Sequence, residues 1–153
     1  MLPIEYFKRQ AKNLLQDQRT RVWNEQERFY DYFPRFYDVD EIFLSFGIFD
    51  DKEPTLQRAQ HLIAKIAGFD KWSDLINCDP EELAFRQLVF ENQNYLWWGE
   101  WVLRYRSVMD SLNTSEGEMD IESQMHLYQQ WLTGNKDSGF DLEGTGFLLE
   151  QKQ

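Results

Sequence analysis

The sequence predicts an all-α fold, a bundle of short helices packed around one long central helix at about residues 80–112. Three observations lead there. Pro80 opens a run with no further proline through Asn113; apolar residues in that run recur at helical spacing in two adjacent stripes; and the segments before it are punctuated by helix caps and glycine stops. No alternating strand pattern extends beyond a few residues, and no internal repeat is present.

In the central run Asp79 is placed to cap the first free N–H groups, Pro80 suits the first helical position, and Glu81 and Glu82 favour the positive end of the helix dipole. Asp79 and Glu82 also stand at capping-box spacing. Leu88, Tyr95, Trp98, Val102, Tyr105, Met109 and Leu112 make one stripe, and Phe90, Trp97, Trp101 and Val108 a second. Two stripes need cover on two sides, so the helix is expected to be central. At 1.5 Å per residue a continuous helix of this length reaches roughly 50 Å, more than a compact domain of this size spans. Its far end is therefore expected to protrude and to pair with a second copy as a homodimer.

The other elements follow in order. Residues 3–18 set Ile4, Phe7, Ala11 and Leu14 on one helical face, with Lys8, Arg9 and Lys12 away from it. A second helix is expected from Arg21 to Phe33, ending by Pro34. Asp38 and Glu41 form a capping box ahead of Ile42, Phe43 and Phe46, and Gly47-Ile48 reads as a left-handed stop. Thr55 caps a helix that turns Leu56, Ala59, Ile63 and Ile66 inward and ends at Gly68; Trp72 and Leu75 supply one more short turn. After the long helix, Asp120 caps a helix carrying Ile121, Met125, Tyr128 and Leu132, which Gly134 is expected to close. The whole is expected to be a single domain over 1–153, made of a short-helix half (1–78), the long helix with its closing helix (79–134), and a glycine-rich tail (135–153). That tail is either a loose extension or a strap docked by Phe140, Leu142, Phe147, Leu148 and Leu149.

Charge is distributed unevenly. The total is −11, of which residues 1–78 carry −2 and residues 79–153 carry −9. An acidic second half repels nucleic acid and anionic membrane and attracts a basic partner; keeping an aromatic-rich protein in solution is the plain alternative use. No apolar run is long enough to span a bilayer, the first residues do not read as a signal peptide, and the lone Cys78 has no partner for an internal disulfide, so a cytoplasmic location is expected.

The run from Leu56 to Leu75 contains Ala59-Gln60, Ile63-Ala64, Gly68-Phe69, Trp72 and Leu75 in succession, and Tyr6 to Leu15 forms a helix ahead of it. This pattern resembles a small helical module of bacterial proteins labelled glyoxalase-related, over parts of residues 6–76 only. The resemblance implies a helical module and no established activity. A glyoxalase domain itself would need strands and His and Glu metal ligands, so no catalytic residue is carried over.

Ala64, Gly68 and Phe69 fall at helix-turn-helix spacing, so nucleic-acid binding through residues 56–76 stands as a second alternative, but the second helix would present Asp70 and Asp74 with only Lys71 to phosphates, and nucleic acid is not the expected partner. Trp97, Trp98 and Trp101 could stack a ligand, though a long helix must bury such residues anyway. Glu122 with His126, and the series Asn135, Asp137, Asp141 and Glu143, have only partial metal-site spacing, the latter lacking the glycine and closing glutamate of a calcium loop. There is no nucleophile elbow and no phosphate-cradling glycine loop. No catalytic, cofactor-binding or metal-binding residue is assigned. The leading expectation is a non-catalytic acidic interaction protein, an adaptor or inhibitor. It would meet a basic protein surface through Glu100, Asp110, Glu116, Glu118, Asp120 and Glu122. The alternative is a ligand-binding or enzymatic domain with a pocket between the long helix and the N-terminal helices, using His61, Trp72, Trp97, Trp98 and Trp101.

Overall fold

The computed structural model describes residues 1–112, 118–137 and 146–149. The fold is mostly helical. Its elements are α1 (Pro3–Gln18), the strands β1 (Val22–Asn24) and β2 (Phe29–Asp31), α2 (Val39–Phe46), α3 (Leu56–Ile66), α4 (Trp72–Ile76), α5 (Pro80–Glu91), α6 (Trp98–Leu112) and α7 (Ile121–Asp137).

Most expected boundaries hold because the caps act. The Asp38 carboxylate accepts the Glu41 N–H at 3.2 Å, Thr55 Oγ1 accepts the Arg58 N–H at 3.3 Å, and Asp120 accepts the Ser123 N–H at 2.8 Å. Gly47 ends α2 in the left-handed region at φ 62°, with the Ile48 N–H donating back to Phe43 at 2.9 Å. At Asp79 the side chain makes no capping bond, and Pro80 alone starts α5.

Three expectations fail. Residues 21–33 form an antiparallel hairpin instead of a helix, with Trp23 opposite Tyr30 and their rings edge to face at 5.1 Å. The local cause is Asn24, whose Oδ1 accepts the N–H groups of Gln26 and Glu27 at 3.1 and 3.0 Å, turning the chain before a helix can propagate. Arg28 completes the turn at φ 58°.

The single long helix is in fact two. After Glu91 come Asn92, Gln93 and Asn94, whose amides compete with the helix: Asn92 donates to Leu88 O and Gln93 to Phe90 O, each at 2.9 Å. The chain turns through 92–97 and resumes as α6, so the roughly 50 Å rod on which the protruding, dimer-forming end was expected does not exist. Gly134, expected to close α7, lies inside it, and the helix continues to Asp137. Asn135 and Asp137 are consequently helical, not part of a calcium loop; Asp141 and Glu143 lie outside the described residues.

The two stripes do not hold as faces, since Phe90 joins one apolar cluster and Trp101 of the same stripe another, while Tyr95 and Leu112 are exposed; cover on two sides is found instead on the shorter α5. Leu83 and Phe90 join a first apolar cluster with Phe7, Ala11 and Leu14 of α1 and Ala59, Ile63 and Ala64 of α3. Phe85 and Val89 face a second cluster built from Leu96, Trp101, Tyr105, Tyr128 and Leu132. Among the described tail residues the strap reading holds. Phe147 is buried, Leu149 N–H donates to Phe36 O at 2.9 Å, and Phe147 N–H donates to the Gln93 side chain at 2.9 Å. Gly146 passes so close to this turn that a Cβ would overlap Asn94.

Candidate functional site

The broken helix creates a cleft. Because α6 turns away from α5 and α7 packs back across both, an opening of about 680 Å³ is left between them. Its floor is aromatic. Phe85 and Trp101, each 1% exposed, meet edge to face at 5.5 Å, Tyr105 stacks on Trp101 at 5.3 Å, and Trp98 stands beside Phe85 at 6.0 Å. Met109 and Met119 add two flexible thioethers to the wall. The Tyr105 hydroxyl accepts the Met119 N–H at 2.8 Å, which ties the segment leading into α7 to the side of α6.

The rim is acidic. Asp110, Glu118 and Asp120 line the cleft, and Glu82 lies at its α5 edge. The Ser123 N–H, assisted by the Ser123 hydroxyl, holds the Asp120 carboxyl below the usual carboxylate range. Two guanidiniums also line the opening, and one is committed elsewhere. Arg86, its side chain 12% exposed, pairs with Glu82 at 3.1 Å and donates to the last carbonyls of the α3 turn, Ala67 and Gly68, at 3.0 Å each. Its plane sits 3.6 Å from the Trp98 ring and 4.4 Å from Phe69. Burial lowers its pKa, opposed by Glu82. Gly68, at φ 89°, is required here twice, by its left-handed backbone and because a Cβ would run into the Trp98 indole.

The expected partner-binding residues therefore divide. Asp110, Glu118 and Asp120 come together on one rim. Glu100 is turned to Arg104, one helical turn on, at 2.7 Å. Glu122 is exposed on α7, and Glu116 lies outside the described residues. The expected pocket residues divide as well. Trp98 and Trp101 line this cleft, whereas His61 and Trp72 line a different one between α2, α3 and α4, and Trp97 lines neither but packs over Gly99. The α3–α4 corner exists, but α4 has only 5 residues, little more than one turn to offer a groove of DNA.

Nothing in the sequence marks Arg86 as a clamp. The pattern Gly68-Phe69 followed by an arginine on the facing helix carries no period of its own. Among the described residues no three His, Cys, Asp or Glu side chains gather as a metal-binding group, and no helix is long and apolar enough to cross a membrane. Cys78, at the start of α5, is a poor nucleophile: burial first, and then Glu82, push its thiol up to about 11. Since the thiolate is the reacting form, iodoacetamide at pH 8 is expected to label the folded protein about a hundredfold more slowly than the urea-unfolded chain. Equal rates would show the thiol to be unperturbed. No family model, curated protein or solved structure matches this chain.

Proposed function

We propose that the protein is a non-catalytic interaction protein whose α5–α6–α7 cleft receives a basic, partly apolar segment of a partner protein, in a cytosolic setting. One observation carries the reading: an aromatic floor of Phe85, Trp98, Trp101 and Tyr105 lies under a rim on which, among the described residues, Asp110, Glu118 and Asp120 outnumber the single uncommitted cation, Arg106. A lysine or arginine suits that arrangement by laying its methylene stem on the rings while its charged head meets the carboxylates. Two of the three arginines between Asp79 and Asn135 are already spent on Glu82 and Glu100, so the field of the second half is not neutralised internally.

The first test uses the tryptophans already in place. A short peptide alternating arginine and leucine is titrated into the protein and the tryptophan emission, to which Trp98 and Trp101 contribute, is followed, with the glutamate–leucine counterpart as control. The basic peptide is expected to shift the emission with saturation, and the acidic one to leave it unchanged. Equal responses, or none from the basic peptide, would remove the reading.

A further inference from the structure

The second cleft, of about 960 Å³ between α2, α3, α4 and the 48–55 loop, shares no lining residue with the first and lacks its excess of carboxylates. Its loop wall is braced from behind. Arg21, its side chain 11% exposed, pairs with Asp50 at 3.3 Å and Glu53 at 3.0 Å and donates to Lys52 O at 3.1 Å, while lying 4.1 Å over the Tyr30 ring. The Tyr32 hydroxyl donates to Asp50 as well. Two of the three loop carboxylates are thereby turned to one guanidinium outside the cleft. With Arg21 counted, Lys52, Arg58, Lys71 and Arg21 stand against Asp50, Asp51 and Glu53, an excess of one positive charge in a chain of net charge −11.

The other walls are apolar and aromatic. Trp72 is half-buried, Phe43 and Ile48 stand across from it, and Phe49 is 86% exposed, an aromatic ring left at the mouth without a covering element. At the inner end is Gln18, 4% exposed, whose Oε1 has no hydrogen-bond partner among the described residues. A buried amide oxygen without a donor is uncommon in a native fold and calls for one. A half-turn of the carboxamide about its terminal torsion exchanges its oxygen and nitrogen without changing the volume filled.

We infer that this cleft binds a small aromatic anion. The ring lies against Trp72 and the Phe43–Phe49 wall, the acid group meets Arg58 and Lys71, and a hydrogen-bonding group on the ring reaches the Gln18 amide. The volume suits a small molecule, since such sites typically measure about 300–1,000 Å³. A phosphate or a carboxylate would serve equally as the acid group, so the shared chemistry is the aromatic anion itself.

Calorimetric titration of the full chain separates the two sources. The probes are adenosine monophosphate and 4-hydroxybenzoate, each beside its uncharged counterpart, adenosine and 4-hydroxybenzyl alcohol. At least one anion is expected to bind about tenfold more tightly than its counterpart, and which one it is identifies the acid group. Lys71→Glu, at an exposed position, is expected to weaken that anion about tenfold, and Gln18→Leu about fivefold with the melting temperature close to wild type. If Gln18→Leu fails to fold, Lys71→Glu decides alone. The inference is overturned if neither anion binds below about 10 mM, if the neutral compounds bind as well as the anions, or if Lys71→Glu binds like wild type. None of these outcomes bears on the arginine–leucine peptide, whose cleft has separate walls.

Discussion

Asp17→Ala is expected to lower the unfolding free energy by about 3–4 kcal/mol, among the largest losses any single substitution would cause here. Asp17 is 1% exposed at the C-terminal end of α1, where the helix dipole disfavours a carboxylate, and it is nonetheless buried. Its oxygens accept the backbone N–H groups of Arg35, Phe36 and Tyr37 at 2.8, 2.9 and 2.8 Å. These three donors have no other partner among the described residues, and leaving them unmatched costs about 1–3 kcal/mol for each one that is buried. The segment they fix also carries the tail strap, through Phe36 O and the Asp38 N–H. Urea unfolding should show a lower midpoint with an unchanged slope, and Asp17→Asn, which keeps one acceptor, should lose roughly half as much. A loss below about 1 kcal/mol for the alanine variant would mean that water replaces the carboxylate.

Arg86→Lys is expected to cost about 2–3 kcal/mol despite keeping the charge. Arg86 joins the two apolar clusters: its plane lies between Phe69 of the first and Trp98 of the second, while its nitrogens reach Ala67 O, Gly68 O and Glu82. A lysine can replace the point charge but not a planar fork that stacks and donates at once. In a double-mutant cycle with Trp98→Leu the coupling should be about 1–2 kcal/mol. Additive effects would show that the clusters are held together by apolar contact alone.

What was legible from the sequence was the part written in caps and periods. Asp38, Thr55 and Asp120 start helices as their side chains dictate, and Gly47 and Gly68 stop them. The failures share a cause. Asn24 and the Asn92-Gln93-Asn94 run break the helical pattern with side-chain amides, which punctuate a sequence less visibly than proline or glycine. Gly134 costs a helix only about 1 kcal/mol and does not end α7. The acidic rim was foreseeable as a charge excess, but not that Asp110, Glu118 and Asp120 would line one cleft, because that grouping exists only once α6 has turned from α5. Gln18 and Asp17 left a weak trace. The stripe Phe7, Ala11, Leu14 continues at helical spacing to Gln18, which placed a polar residue on a buried face and marked it as needing a partner.

The central claim is that the rim of the α5–α6–α7 cleft, and not net acidity, recruits a basic partner. The most direct measurement is the affinity of the arginine–leucine peptide across a salt series, for wild type, the Asp110→Lys/Glu118→Lys double variant and an Asp51→Lys control. Exposed charges are screened over about 10 Å at 0.1 M salt, so wild-type affinity should fall steadily as salt rises. The double variant should bind at least about tenfold more weakly with a flatter salt dependence, and Asp51→Lys should follow wild type. If all three proteins bind alike at every salt concentration, or if Asp51→Lys weakens binding as much as the rim variant does, the cleft is not the docking site and the acidity serves only solubility.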